Sequence, residues 1–153
     1  MPRVTVHMPV FNGERFLRDA IDSVLAQDLP DFDLLAVDDG STDESVRIIG
    51  SYGDPRIRII AHSENHGIVE RLNQGSGDAH GEYVARMDSD DIYHPSRILT
   101  QVRFLVHNLD IAASGTIYES WGRVADARCA SHAIRKPSGR LSSSICHSHT
   151  PRS

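Results

Sequence analysis

The chain has 153 residues and a mass of 16.9 kDa, with 39% hydrophobic and 24% charged residues and a formal net charge of −5. That is one ordinary domain with enough apolar content for a core, which excludes a wholly disordered or collagen-like chain. Its two cysteines, Cys129 and Cys146, are too few for a disulfide framework.

The elements follow in order. Val4-Thr5-Val6-His7-Met8 alternates and is β-branched, which predicts a strand. Pro9 to Gly13 supplies the turn. Phe16, Leu17, Ala20, Ile21, Val24 and Leu25 form one stripe of an amphipathic helix that Pro30 ends. Leu34-Leu35-Ala36-Val37 reads as a strand buried on both faces. Ser41 and Glu44 have capping-box spacing and predict a helix start, with Val46 and Ile49 facing inward. Ile57–Ile60 is a third strand. Gly67–Ala79 is a helix with Ile68, Leu72 and Ala79 inward, weakened by Gly75 and Gly77. Tyr83–Met87 is a fourth strand. Pro95 suits the first turn of a helix carrying Ile98, Val102 and Leu105, and Ile111–Ser114 is a fifth strand. Strands alternating with helices define α/β with a mainly parallel sheet.

Charge divides the chain. Met1–Trp121 holds 10 basic and 20 acidic residues, whereas Gly122–Ser153 holds 6 and 1. An acidic body excludes a nucleic-acid backbone as partner and suits cation sites. No apolar run nears the roughly 18 residues of a membrane span, and no signal-peptide core is present. A cytoplasmic setting is expected, with the inner face of a membrane as the alternative.

In open α/β sheets, ligands bind beyond the carboxyl ends of the strands. Asp38-Asp39 follows the second strand and Asp88-Ser89-Asp90-Asp91 the fourth. Carboxylates this close need donors, a cation or raised pKa values. Oxygen ligands suit Mg²⁺ or Mn²⁺. The plain alternative makes Asp39, Ser41 and Asp91 turn and cap residues only.

Five blocks carry a resemblance: Met8–Gly13, Val37–Asp43, Glu64–Gly67, Gly81–Val84 and Met87–Asp91. In order and spacing, Val4–Trp121 resembles the N-terminal half of family 2 glycosyltransferases, the inverting enzymes of the GT-A fold. The resemblance implies a GT-A, Rossmann-like three-layer sandwich over residues 1–121, truncated, with a poorly ordered tail over 122–153. It implies a nucleoside-diphosphate sugar as ligand, UDP-linked by preference, with Mg²⁺ or Mn²⁺. Pro9, Phe11 and Asn12 would line the nucleotide pocket, and Asp39, beside Asp38, would bind the base. Arg71 would lie near the nucleotide. Asp88-Ser89-Asp90 resembles the DxD motif, in which Asp88 contacts ribose or sugar and Asp90 ligates the metal, with Asp91 as support. The acceptor would be a polysaccharide, lipid or protein. No carboxylate matches the family's general base, so the catalytic residue stays unassigned. Glu119 is a stand-in whose simpler role is structural.

Other readings stand beside this one. A receiver module would place its acidic pair after the first strand and a lysine near a late strand, but Lys136 lies in the tail. The first turn lacks the G-x-G-x-x-G of a dinucleotide site. A non-catalytic module derived from the transferase would bind nucleotide without turnover. The tail, with one lysine against 15 arginines in the whole chain, reads as a frameshifted or truncated remnant. Its Cys129-x₂-His132 and Cys146-x₂-His149 pairs alternatively suggest zinc. Trp121 suits packing, and Arg56, Arg58, Arg97 and Arg103 suit a solvated or ion-paired face. Apolar surface left uncovered would favour self-association.

Overall fold

The computed structural model describes residues 3–116 and 133–135. The chain forms two compact units, Met1–Val102 and Arg103–Ser153. The first alternates β1 (Val4–Val10), α1 (Leu17–Leu25), β2 (Phe32–Asp38), α2 (Ser45–Gly50), β3 (Ile57–Ala61), α3 (Ile68–Gly77), β4 (Tyr83–Arg86) and the start of α4 (Arg97–His107). Its four strands are parallel in the order β3-β2-β1-β4.

The two faces of this sheet differ in chemistry. On one, Val4, Val6, Met8 and Val10 of β1 join Phe32, Leu34 and Ala36 of β2 against buried side chains of α1, α2 and α4. Burial of such side chains contributes about 1.5–3 kcal/mol each, so this face carries most of the apolar driving force. The other face mixes polar and apolar groups, burying Thr5, His7 and Asp33 beside Leu35 and Val37. There the Thr5 hydroxyl donates to Asp33 at 2.7 Å, and Arg58 donates to the other Asp33 oxygen at 2.8 Å. Thr5 in turn accepts the His80 and Gly81 amides at 3.1 and 2.9 Å. Buried polar groups are tolerated when each finds such partners.

Helix α3 covers this second face, and Gly75 lets it come close. A Cβ at Gly75 would lie 2.0 Å from His7 Nε2. The glycine that weakens the helix in isolation is therefore what lets it dock on a strand bearing a full imidazole. Burial first, and then the Arg86 charge, push the His7 pKa down, so this ring is neutral in the fold.

Several local expectations change. Phe16 is 45% exposed, outside the α1 core stripe. Helix α2 begins at Ser45, and no capping box forms. Ser41 accepts the Asn12 amide instead, and the Ser45 amide donates to Asp43. This later start turns Ile48 inward with Ile49 and leaves Val46 exposed. In α3 the buried residues are Arg71 and Gly75, while Ile68 is 50% exposed. Helix α4 starts two residues after Pro95 and buries Ile98 and Val102 as expected.

In the second unit, β5 (Ile111–Ser114) forms where predicted but outside the parallel sheet. It pairs antiparallel with β6 (Ala133–Arg135). The cysteine-histidine pairs, Glu119 and Trp121 lie outside the described residues. Among the described residues, no helix is long and apolar enough to cross a membrane.

Candidate functional site

The site lies where the strand order reverses. From β1 the chain runs outward through β2 to β3, then returns to the other side of β1 as β4. Ligands bind at such switch points, beyond the carboxyl ends of the strands. β2 follows β1 as far as Val10↔Asp38, but β4 stops at His7↔Arg86. The His7 carbonyl accepts the Met87 amide at 3.0 Å. Pro9, two residues on, faces the same neighbour, where the ladder has ended and no N–H is needed. The strands separate there.

A cavity of about 520 Å³ occupies the opening. Pro9, Phe11 and Asn12 reach it from the β1 turn, Asp39 from the β2 end and Arg71 from α3. Asp88, Ser89 and Asp90 reach it from the β4 end. Eight of the nine residues expected at the site thus share one cavity. Asp38 is not in its lining. That carboxylate is buried and its Oδ2 accepts the Gly40 and Ser41 amides at 3.1 and 3.0 Å, fixing the turn. Phe16, Asn65 and Ile68 also line the cavity. Asn65 lay within a recognised block. Phe16 and Ile68 read as core residues in the sequence, because periodicity does not distinguish a core stripe from a cavity rim.

Two turns build one wall by exchanging hydrogen bonds. The Asn12 amide donates to Ser41 Oγ at 2.9 Å, that of Gly13 to Ser45 Oγ at 2.9 Å and that of Glu14 to Asp43 at 3.0 Å. In return, the Thr42 amide donates to Asn12 Oδ1 at 2.9 Å and that of Glu44 to Glu14 at 3.1 Å. Asn12 adopts φ of 49°, in a region where Asn is among the better-tolerated residues. The exchange satisfies amides that a turn would otherwise leave open.

Asp39 is the best-held acid. Its carboxylate accepts the His66 amide at 2.9 Å, the Gly67 amide at 2.8 Å and Arg71 Nε at 2.6 Å. The Asp39 and Arg71 side chains are only 5% and 4% exposed. The carboxylate sits at the N-terminus of α3, where exposed amides and the helix dipole favour an anion. Burial alone would raise its pKa, but the His66 amide, Arg71 and the Gly67 amide outweigh it, and the pKa falls below 3.8. Gly40, at φ 76°, has no room for a Cβ, which would lie 2.8 Å from the Glu64 carbonyl carbon. The β2 turn and the Glu64–Gly67 loop therefore meet backbone to backbone.

The β4 acids are open by comparison. Arg86 pairs with Asp88 at 3.0 Å with both side chains near half exposed. Among the described residues, the Asp90 carboxylate has no hydrogen bond or ion pair. Partial burial, then the Asp88 and Asp90 charges, push the Asp91 pKa above 3.8. Tyr93 anchors the loop: its hydroxyl donates to the Arg86 carbonyl and Arg97 stacks 3.7 Å from its ring centroid. Arg97 is thus a packed cation, and Arg56 and Arg58 are ion-paired to Asp54 and Asp33. Among the described residues, no three His, Cys, Asp or Glu side chains form a ready metal cage.

A parallel sheet with flanking helices and a cavity at its switch point defines a Rossmann-like architecture, and comparison with known proteins gives its class as GT-A. The fold matches TarS of S. aureus, solved with UDP, at a TM-score of 0.66 and 27% identity, over 72% of this chain and 34% of that one. It also matches the mannosyltransferase PcManGT of Pyrobaculum calidifontis, solved with GDP-Man and Mn²⁺. There the TM-score is 0.60 at 28% identity, over 68% of this chain and 32% of the other. The family model for glycosyl transferase family 2 matches residues 5–148, and the chain belongs to that family. The match passes Trp121, where the motif resemblance was expected to fade, and takes in most of the tail.

Among curated relatives, the putative glycosyltransferase EpsE of Bacillus subtilis is 35% identical over 79% of this chain and 46% of its own length. An uncharacterized glycosyltransferase of Rickettsia felis is 42% identical over 68% of this chain and 17% of its own length. The chain thus spans less than half the length of these relatives.

Proposed function

We propose that the cavity binds a nucleoside-diphosphate sugar, UDP-linked by preference, together with a divalent cation, for glycosyl transfer to a polysaccharide, lipid or protein acceptor. The observation that carries this reading is the meeting of Asp39 and the Asp88–Asp90 loop across one switch-point cavity. Neighbours of the same fold, solved with UDP, UDP-GlcNAc and GDP-Man, support it.

The chemistry of each wall fits a part of such a ligand. Asp39 is ionised at neutral pH and therefore accepts hydrogen bonds without donating. A base presenting a ring N–H, such as uracil or guanine, satisfies it. Adenine and cytosine present a bare acceptor there. Phe11, 50% exposed at the cavity, offers a face for the base. Asp88 and Ser89 would meet the ribose or sugar.

The charges of the lining favour a cation. Arg71 is neutralised by Asp39, and Asp88 is paired with Arg86, whereas Asp90 has no partner among the described residues. A diphosphate would meet net negative charge. Hard oxygen donors suit Mg²⁺ or Mn²⁺, and Mg²⁺ commonly uses one or two carboxylates plus substrate phosphates, so a three-ligand protein cage is not required. Asp90 would hold the ion, which supplies neutralisation of the departing diphosphate. The protein's own groups bind and orient: Asp39 holds the base, and the interlocked turns fix the wall.

One observation favours binding without turnover as a second reading. Among the described residues, the acids lining the cavity are Asp39, Asp88 and Asp90, all three assigned above to the donor and its cation, which leaves none of these for the acceptor hydroxyl. Calorimetric titration of UDP with and without Mn²⁺, on wild type and Asp90→Asn, tests the donor site. Metal-dependent binding lost in the variant is expected. Absence of binding by the folded wild-type chain would overturn it. Release of free sugar from a UDP-sugar then separates the enzyme from the module.

A further inference from the structure

Arg71 does not stand alone behind Asp39. Its Nε donates to Asp39 at 2.6 Å, its Nη1 to Gln74 Oε1 at 3.0 Å and its Nη2 to the Glu64 carbonyl at 3.4 Å. Gln74 Oε1 also lies 2.9 Å from Nε2 of His62. A continuous chain of contacts thus runs from His62, just past the end of β3, through Gln74 and Arg71 on α3 to the cavity acid.

The chemistry of the chain fixes its protons. Arginine only donates, so the Gln74 atom facing it is the oxygen, and the reverse amide orientation would set donor against donor. An amide oxygen only accepts. The His62 nitrogen facing it must therefore carry a hydrogen, which selects the Nε2–H form of the ring. Neither His62 nor Gln74 lines the cavity. A guanidinium left with Asp39 alone would keep freedom to rotate about its Nε contact, whereas a second and third fixed acceptor hold its plane.

We propose that Gln74 and His62 are positioning residues of the donor site: they lock the Arg71 guanidinium and, through it, the direction in which the Asp39 carboxylate meets the nucleobase. The inference rests on the donor-site reading above. It explains why a helix covering the sheet turns Arg71 and Gln74, rather than an apolar stripe, toward the protein. It also assigns a use to two polar residues that lie outside the five blocks resembling the family.

The test is UDP binding with Mn²⁺ by the full chain, on wild type, Gln74→Leu, Gln74→Glu and His62→Phe, with a thermal melt of each. Gln74→Leu removes the shared acceptor at similar size and is expected to weaken binding on the order of tenfold, one charge-assisted hydrogen bond's worth. Gln74→Glu keeps acceptor oxygens and is expected to stay within about threefold of wild type. His62→Phe should weaken binding less than Gln74→Leu, since it acts one link further out. Long-range ¹H–¹⁵N spectra should show His62 as the Nε2–H form in wild type, and that preference should fall in Gln74→Leu.

Unchanged affinity in Gln74→Leu, with wild type binding UDP, overturns the positioning role and leaves the donor site standing. So does equal weakening by Gln74→Leu and Gln74→Glu, or an Nδ1–H form of His62 in wild type. No binding of UDP by folded wild type overturns the donor-site reading and the positioning role with it. If Gln74→Leu does not fold, His62→Phe and the tautomer measurement decide.

Discussion

The two acidic clusters of this sheet, at the ends of β2 and β4, look alike in sequence and differ in physical state. After β2, Asp38 and Asp39 are buried and supplied with internal donors: two turn amides for Asp38, two amides and a guanidinium for Asp39. After β4, Asp88 has one half-exposed arginine, Asp90 has no described partner and Asp91 is pushed toward its neutral form. In the first cluster Asp39 is a finished acceptor whose charge Arg71 already compensates, while Asp38 keeps a buried Oδ1 without a partner among the described residues. The second stores uncompensated charge at an open edge, which is what a cation site needs before the cation arrives.

Breaking the compensated cluster should cost the most. Arg71→Met leaves a buried carboxylate with two amides but no counter-charge. Removing one partner of a buried pair is strongly destabilising, and a loss of about 3 kcal/mol is expected. Urea unfolding measures it. A loss below about 1 kcal/mol, the range of exposed pairs, would mean that the amides alone compensate Asp39.

The open cluster should answer in the opposite way. Asp90→Asn is expected to leave urea stability unchanged or slightly raised, since it removes a like charge beside Asp91. It should weaken Mn²⁺-dependent UDP binding by about 100-fold, at the upper end of what even outer-shell changes at metal sites cost. If Asp90→Asn destabilises as Arg71→Met does, the clusters are not different in kind.

Acid sharpens the contrast because the two shifts have opposite signs. The Asp39 pKa is depressed below 3.8, so its stabilisation is present above that value and is lost as pH falls through the folded pKa. The Asp91 pKa is raised above 3.8, so the folded state holds that proton more tightly. Stability is lost as pH rises through that window and regained as pH falls back through it. Melting temperature followed downward from about pH 7 should therefore show a small gain before the acid loss. Asp91→Asn should remove the gain and leave the loss. Mn²⁺, by compensating the loop, should suppress the gain in wild type. A loss with no preceding gain in wild type, or a gain that survives in Asp91→Asn, would count against the assignment.

Much of this was legible in the sequence, for reasons that can be located. Alternation in Val4–Met8, the apolar run Leu34–Val37 and the turn residues after each strand placed the strands, and strand ends in an α/β fold place a site. What escaped was set by pairing distant in sequence. Asp39 and Arg71 are 32 residues apart, and Thr5 and Asp33 are 28 apart. Arg71, paired with Asp39, and Gly75, set against the His7 ring, are the α3 residues turned inward, where periodicity favoured Ile68. Ser41 and Ser45 were taken by the β1 turn, a partner that a capping-box reading does not contain. β5 had the composition of a strand, but its partner, Ala133–Arg135, lay in a stretch without strand periodicity.

The smallest expected effect lies on the loop that holds Asp39. His66 gives its amide to that carboxylate, while its ring places Nδ1 3.0 Å from Glu70 and Nε2 3.4 Å from Glu64. A neutral imidazole donates from one nitrogen only, so satisfying both contacts requires the cation. Glu70 first, then Glu64, raise the pKa above 6.5. The sign follows: the contribution of the His66 contacts with Glu70 and Glu64 is complete below 6.5 and is lost as pH rises through the folded value. Because these side chains are solvent-exposed and screened by salt, the effect on stability should be small. The expected ¹H NMR titration midpoint of His66 lies above 6.5, and Glu70→Gln should lower it more than Glu64→Gln does. UDP affinity should not follow this titration, because the loop's amides, not its ring, hold Asp39. An affinity that tracked the His66 midpoint would show that the compensated cluster depends on an exposed charge, and the contrast between a finished acceptor and an open one would then fail at its strongest side.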